Sequence, residues 1–360
     1  MRIAQIFSHS GVNGVTTSGR MILQGLLARG HALTVFHRPN AWFVDKDYDG
    51  DITFHEVDMG VRLLNYKEIT RVQSICADQG VEILHSHGDV ASRVTSHIRV
   101  FGKLPTVATR HNMSFHPHWR FQNAVIAPSQ ATADDLRRQH LVARKRLHVV
   151  PNFLLEQSRF QRSESTRGEM RKSLGIPSNA FVLLSVGSVE TRKNQSAAPA
   201  LIKALEDMGV LAHLILVGGH AGDEATKVET EAERLGVQSR LHIIGHSTEV
   251  PVFLQCSDAF LSTSKAEQAS IALLEAMAAG LPTYCTDTGS AKEIIRNGQT
   301  GYLLDLANSK PALQDMARLA ASPDALSKAS VAARNHFEQS FSAAAILPQL
   351  ERLYQQLAHG

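Results

Sequence analysis

Cysteine is scarce in this sequence. Its 360 residues hold three, at 76, 256 and 285, far apart and without CxxC spacing. That excludes a disulfide framework and a thiolate metal cluster, and leaves isolated core thiols of a reducing compartment. Long apolar runs are also missing, since none approaches the roughly 20 residues that span a bilayer. The opening MRIAQIFSHSG turns polar after one strand's length, so it resembles neither a signal peptide nor an anchor, and the expected location is the cytoplasm. No dense Lys/Arg tract with interleaved aromatics occurs, which argues against nucleic acid as a partner. The first glycine loop, GVNGVTTSG, fits neither GxGxxG placed for a dinucleotide nor GxxxxGK[ST]. Hydride transfer and P-loop chemistry are poorly supported.

What is present fits a two-domain globular protein: 43% hydrophobic and 20% charged residues in a chain long for one core. The net charge of +3 is unevenly spread. Residues 1–150 hold 18 Lys and Arg against 12 Asp and Glu, with 12 of the 18 histidines. This half therefore suits an anionic partner, such as a phosphorylated acceptor or an acidic membrane surface, unless the excess is ordinary surface scatter.

Hydrophobic periodicity alternates strand and helix throughout, which predicts an α/β fold with parallel sheets. In the first half the pattern predicts strands over 1–7, 32–37, 52–57, 81–85, 106–110, 123–127 and 147–150. Helices are predicted over 20–29 and 67–78, and another is capped by Ser129 or Thr132. Residues 154–166 are polar and aperiodic, the best linker in the chain. Strands over 181–186, 212–217, 241–244, 259–262 and 282–285 alternate with helices over 194–207, 223–235, 249–256 and 291–297. A last helix covers 343–357. His85 and His87 stand at i, i+2 near the end of a strand and point the same way. They can contact an acceptor, serve structure, or bind a metal, for which no third ligand is evident.

The most informative stretch is 262–280, STSKAEQASIALLEAMAAG. Residues 271–279 form an apolar helix whose one charged residue is Glu275, so a buried carboxylate is expected, and a buried carboxylate needs a partner. Ser270 is placed to cap that helix and Gly280 to end it. Glu267 lies in the loop before. Two carboxylates thus flank a helix N-terminus, a natural anion site. The alternative is a core ion pair and a solvated Glu267.

Glu267, seven residues, then Glu275 and AMAAGLP, with Ser264 upstream, resembles the E-x7-E signature of the family-4 retaining glycosyltransferases. The resemblance implies the GT-B architecture: two doubly wound Rossmann-like domains facing a central cleft. Residues 1–160 would form the acceptor side and 161–340 the nucleotide-sugar side, while 341–360 would be a terminal helix crossing back. It implies that Glu267 contacts the donor sugar and Glu275 the ribose. Gln268, Ala269, Ser270 and Ile271 would border the phosphates and sugar, although the family usually has Gly-Phe-Gly/Pro after the first Glu. In GSVETRKN, Lys193 matches the family's diphosphate-binding lysine. The arginine usual after Gly187 is Ser188 here, which leaves Arg192 to substitute. Gly245 and His246 would face the base.

In the first domain, His111 matches the family's histidine near the reaction centre, and Gly14 belongs to the glycine loop beside the diphosphate. Asn13, His85, His87, Trp119 and Arg120 are candidate acceptor contacts. The implied activity is transfer of a sugar from a nucleotide-diphosphate donor, a UDP-sugar, with retention and without metal or cofactor. The implied acceptor is a glycan or lipid-linked glycan of the bacterial envelope, met at the inner face of the cell membrane. The rivals are a non-catalytic sugar-nucleotide-binding subunit and another GT-B enzyme, a sugar-nucleotide epimerase or phosphorylase.

Overall fold

A computed structural model describes residues 1–59, 65–111, 115–155, 160, 163–220 and 222–360. The chain divides into two compact units, Met1–Leu155 with Ser342–Gly360, and Glu156–Phe341.

The first unit is built on seven parallel strands, β1 (Arg2–Phe7), β2 (Ala32–His37), β3 (Ile52–Glu56), β4 (Ile83–His87), β5 (Thr106–Thr109), β6 (Ala124–Ala127) and β7 (Leu147–Val149), in the order β3-β2-β1-β4-β5-β6-β7. β4 is buried along its whole length, as expected of a parallel strand covered on both faces. One face packs Ile3, Leu33 and Ile83 against Leu23 and Leu26 of α1 (Gly14–Leu27) and Leu347, Leu350 and Tyr354 of α13 (Ala343–His359). The other packs Ala4, Ile6 and Leu84 against α2 (Tyr66–Asp78) and α3 (Asp89–Phe101).

Two differences from the sequence expectation have local causes. α1 begins at Gly14 rather than near 20, because Asn13 and Thr16 form a capping box. Asn13 Oδ1 accepts from the Val15 and Thr16 backbone amides at 2.9 and 3.1 Å, and the Asn13 backbone amide donates to Thr16 Oγ1 at 3.2 Å. That signal outweighs the glycines around it. α3 was not foreseen, since DVASRVTSHIRVF is rich in Ser, Thr and Val, which are weak helix formers. Burial of Ala91, Val94 and Ile98 against the sheet supplies what propensity lacks.

The second unit has six parallel strands: β8 (Phe181–Val186), β9 (Ala212–Val217), β10 (Leu241–Gly245), β11 (Ala259–Ser262), β12 (Thr283–Thr286) and β13 (Gly301–Leu304). Their order is β10-β9-β8-β11-β12-β13. Leu183, Leu214 and Leu261 of the sheet meet Leu205, Val228 and Met316 from the helices. A buried carboxylate organises one end. Asp258 accepts from Arg171 Nη2 and Arg167 Nη2, each at 2.6 Å, and from the Val182 amide at 2.8 Å. This ties α5 (Glu164–Ser173) to the starts of β8 and β11. Each sheet reverses its strand order beside its first strand, at β1/β4 and β8/β11. Open α/β sheets bind ligands outside the carboxyl ends of the strands at such a reversal.

Candidate functional site

In the second unit, the loops after β8 and β11 emerge on either side of that reversal. Backbone and side chain clasp them together. The Lys265 amide donates to the Arg192 carbonyl at 2.9 Å, Thr263 Oγ1 to the Asn194 carbonyl at 2.8 Å, and Asn194 Nδ2 to the Thr263 carbonyl at 3.2 Å. Glu267 lies within reach as a result. Its Oε2 accepts from Lys193 Nζ at 2.7 Å and from Arg192 Nη1 at 3.2 Å, and Arg192 also bonds Glu190 at 2.6 Å. The side chains of Lys193 and Glu267 keep only 15% and 17% of their exposure, whereas Arg192 keeps 48%. Two cations and two carboxylates therefore share one shallow site. The sequence reading put Lys193 at a helix start, but helix α6 (Ala198–Asp207) begins only after a short 3-10 turn. Lys193 is held in the loop, its amine against Gly187. Ser188 turns its carbonyl to the Gln195 side chain, accepting from its Nε2 at 3.0 Å.

Helix α9 (Ile271–Ala278) starts as predicted: Ser270 Oγ accepts from the Leu273 amide at 3.2 Å. It ends with the Gly280 amide on the Met277 carbonyl and the Leu281 amide on the Ala276 carbonyl. The helix is not buried all round, which corrects the expectation for Glu275. Leu273, Leu274 and residues 276–278 are buried, while Ile271, Ala272, Glu275 and Ala279 are partly open. Residues at i, i+4 and i+8 share one face, so Glu275 sits midway along an accessible stripe. Between the two carboxylates, both amide atoms of Gln268 are enclosed without a hydrogen-bond partner. An enclosed, unmet amide costs free energy unless a ligand completes it. Ala269 lies between Gln268 and the capping Ser270, partly buried.

Two glycines missed by the sequence reading shape this site. A Cβ on Gly218, whose φ is +157°, would come within 2.0 Å of the Gly187 carbonyl oxygen. Gly218 also donates to the Gly245 carbonyl at 2.8 Å, and His246 lies against Gly219, exposed. The loops carrying Gly187, Gly245 and His246 thus stack. A Cβ on Gly289, at φ +57°, would lie 2.3 Å from the Gln268 carbonyl and 2.5 Å from that of Glu267. Both contacts link loops distant in sequence, which no local pattern announces.

In the first unit, the carboxyl ends of β4 and β5 gather histidines. His87 Nε2 lies 3.0 Å from Gln5 Oε1 and its Nδ1 lies 3.3 Å from His111 Nε2. His85 is bonded to Tyr354 Oη at 2.6 Å and to Thr109 Oγ1 at 2.7 Å. Burial pushes the imidazoles of His85 and His111 down to about 3, and that of His87 well below its ordinary value. All three are neutral at pH 7.

Several acceptor candidates are corrected here. His85 and His87 are fully buried, with both ring nitrogens engaged, so neither meets an acceptor. Trp119 is fully buried beneath Ala108, Val125 and Leu136, because the 3-10 turn Pro117–Phe121 tucks it inward. Asn13 spends its side chain on the α1 cap, and Gly14 is the first residue of that helix instead of part of a phosphate loop. Arg120 remains exposed, its guanidinium 5.1 Å from the centre of the Phe121 ring. Among the described residues no three His, Cys, Asp or Glu side chains gather as a metal site, and no helix is long and apolar enough to cross a membrane.

Comparison with known proteins decides the family. Residues 166–336 match the family model described as glycosyl transferases group 1, and residues 12–154 match glycosyltransferase family 4. The chain belongs to these glycosyltransferases. A similar curated relative is the N-acetyl-alpha-D-glucosaminyl L-malate synthase of Bacillus anthracis, 23% identical over 97% of this glycosyltransferase and 95% of the relative. The lipopolysaccharide glucosyltransferase WaaG of Escherichia coli is 26% identical over 52% of this chain and 50% of its own. Among solved structures, Anabaena Alr3699/HepE in complex with UDP superposes with a TM-score of 0.85 at 18% identity, covering 99% of this glycosyltransferase and 100% of that chain. That likeness shows the two-sheet GT-B fold. Relatives of this glycosyltransferase act in lipopolysaccharide synthesis.

Proposed function

We propose that this glycosyltransferase takes a sugar from a UDP-sugar and passes it, with retention and without metal or cofactor, to a glycan or lipid-linked glycan acceptor of the bacterial envelope. The observation that carries the reading is the convergence of Lys193 and Arg192 on Glu267 beside the β8/β11 reversal. Departure of a nucleoside diphosphate leaves negative charge on its phosphates. Lys193, Arg192 and the N-terminus of α9 are the groups able to receive that charge, which is where electrostatic stabilisation of a transition state is largest. Arg192 supplies the second cation that Ser188 does not. Glu267 and the enclosed Gln268 amide suit the hydroxyls of a sugar, and Glu275 on its open stripe suits a ribose. His111, neutral at pH 7, serves as a hydrogen-bonding group and not as a reservoir of protons. UDP is favoured because HepE binds it and also UDP-glucose. Contact with an anionic membrane surface is supported by exposed Arg137, Arg138, Arg144 and Lys145 beside exposed Leu141 in the first unit.

The test is a thermal-shift and calorimetric screen of UDP, GDP, ADP and their sugars against wild type, Lys193→Ala and Glu275→Ala. Stabilisation by UDP that both variants lose supports the reading; no shift with any nucleotide would move the chain to a different function. Product anomer, read by NMR, and turnover in a chelator test retention and metal independence in the same preparation.

A further inference from the structure

The histidines beneath His111 do more than fill the core. Gln5, on β1, turns its carbonyl oxygen toward His87 Nε2 at 3.0 Å. A carbonyl oxygen only accepts, so Nε2 of His87 carries the proton. His87 is fully buried and neutral, and a neutral imidazole holds one N–H, so its Nδ1 is a lone pair. The 3.3 Å approach of His111 Nε2 to that lone pair then requires His111 to donate. By the same count His111, also neutral, is left with an unprotonated Nδ1. That nitrogen has no hydrogen-bond partner among the described residues, and His111 is only partly buried. His87 is itself held flat against Phe7, rings stacked at 4.6 Å and 10°, so its own orientation is fixed by packing.

We infer that Gln5 and His87 form a relay that locks His111 into its Nε2–H tautomer, which leaves Nδ1 as an acceptor for a ligand hydroxyl. His87 and Gln5 are positioning residues in this scheme. The wrong tautomer at His111 would present an N–H and could receive no hydroxyl proton. That the hydroxyl belongs to the donor sugar rests on the proposed function; the relay itself does not. The titratable and charged groups around the relay are His85 beside His87, and His9 beside His111, with Asp89 and Arg38 facing His9. The ring of His85 stands 4.2 Å from that of His87 without a hydrogen bond between them, since both its nitrogens are taken.

The first experiment needs no variant. Long-range proton–nitrogen NMR of the full-length, histidine-labelled protein at pH 7 distinguishes the two tautomers of each ring. An Nε2–H form at both His87 and His111 is expected. An Nδ1–H form at His111 overturns the relay whatever the activity. His87→Phe keeps the stacked ring and removes both bonds, and is expected to give a mixture of His111 tautomers. His87→Asn restores an acceptor oxygen near the Nδ1 position and is expected to restore the single form, a rescue that a merely space-filling role would not produce. Unchanged tautomers in both variants overturn the relay.

Kinetics tests the second half. With UDP-glucose as the donor probe, His87→Phe should lower kcat/KM for the donor about three- to tenfold, the range of one net neutral hydrogen bond, and His87→Asn should recover most of it. A tautomer change in His87→Phe with kcat and KM both unaltered would overturn the contact between His111 and the sugar while leaving the relay standing. If His87→Phe fails to fold, Gln5→Leu, which removes the oxygen that fixes the His87 tautomer, is read by the same spectra.

Discussion

Glu267→Gln is expected to move nucleotide binding and sugar transfer in opposite directions. In the unliganded protein the Glu267 carboxylate occupies Lys193 and Arg192, the cations that a diphosphate needs. Binding UDP therefore gives up part of an existing ion pair. That pair is neither fully exposed nor deeply buried, so its worth lies between an exposed bridge, 0.2–1 kcal/mol, and a charge-assisted hydrogen bond, about 1.5–3 kcal/mol. Removing the negative charge while keeping the shape should free about 1 kcal/mol, and UDP should bind roughly fivefold more tightly. Lys193→Ala should instead lose a charge-assisted bond to phosphate, weakening UDP about 10- to 150-fold. Because both changes act on one contact, the double variant should resemble Lys193→Ala and not the sum. Transfer by Glu267→Gln should fall, since the carboxylate that meets the sugar is gone. Titration calorimetry with UDP at two salt concentrations reads all of this, and the gain should shrink as salt rises. If Glu267→Gln weakens UDP as much as Lys193→Ala does, Glu267 is no competitor for the cation and the argument fails.

Gly289→Ala should lower donor turnover about 10- to 100-fold and lower Tm as well, because at positive φ its methyl meets two backbone carbonyls and displaces the loop carrying Glu267 and Gln268; full activity at an unchanged Tm would show that the loop position is not critical. Asp258→Asn should destabilise the second unit by about 3–5 kcal/mol in denaturant titrations, leaving the buried Arg171 without its counter-charge; a loss under 1 kcal/mol would contradict the buried pair's role. Stability should fall as pH drops. His85 and His87 are depressed in the fold, so the unfolded chain takes up protons first, below about 6.5, and each ring costs up to about 1.4 kcal/mol per pH unit. The contribution is whole above pH 6.5 and declines toward the folded value of about 3 for His85. Urea midpoints that stay level between pH 7 and 5 would rule this out.

Much of the fold is visible in the sequence because parallel strands buried on both faces read as unbroken apolar runs. The strands over 181–186, 212–217 and 259–262 are observed with those bounds. Local spacing likewise places Ser270 as the cap of α9, where its Oγ accepts from the Leu273 amide. What escapes is anything set by partners far along the chain. The i, i+2 spacing of His85 and His87 correctly puts them on one face, but only the packed fold shows that this face is interior, beneath Tyr354. The same limit hides Gly218 and Gly289, whose constraint is a carbonyl in another loop. In α3, packing outweighs propensity, and propensity was all the sequence offered.

The return of α13 to the first unit has a consequence for synthesis. Ile346, Leu347, Leu350, Leu353 and Tyr354 complete a core whose other buried members lie before residue 156. On the ribosome, all of Glu156–Phe341 must be made in between, which takes roughly 10 to 40 s at about 5–20 residues per second. During that time the seven-stranded sheet has an uncovered apolar strip, and His85 lacks its tyrosine. The second unit is continuous and can close as soon as it emerges. The first half to be translated is thus the last to finish folding, and it is the half that has most need of a chaperone.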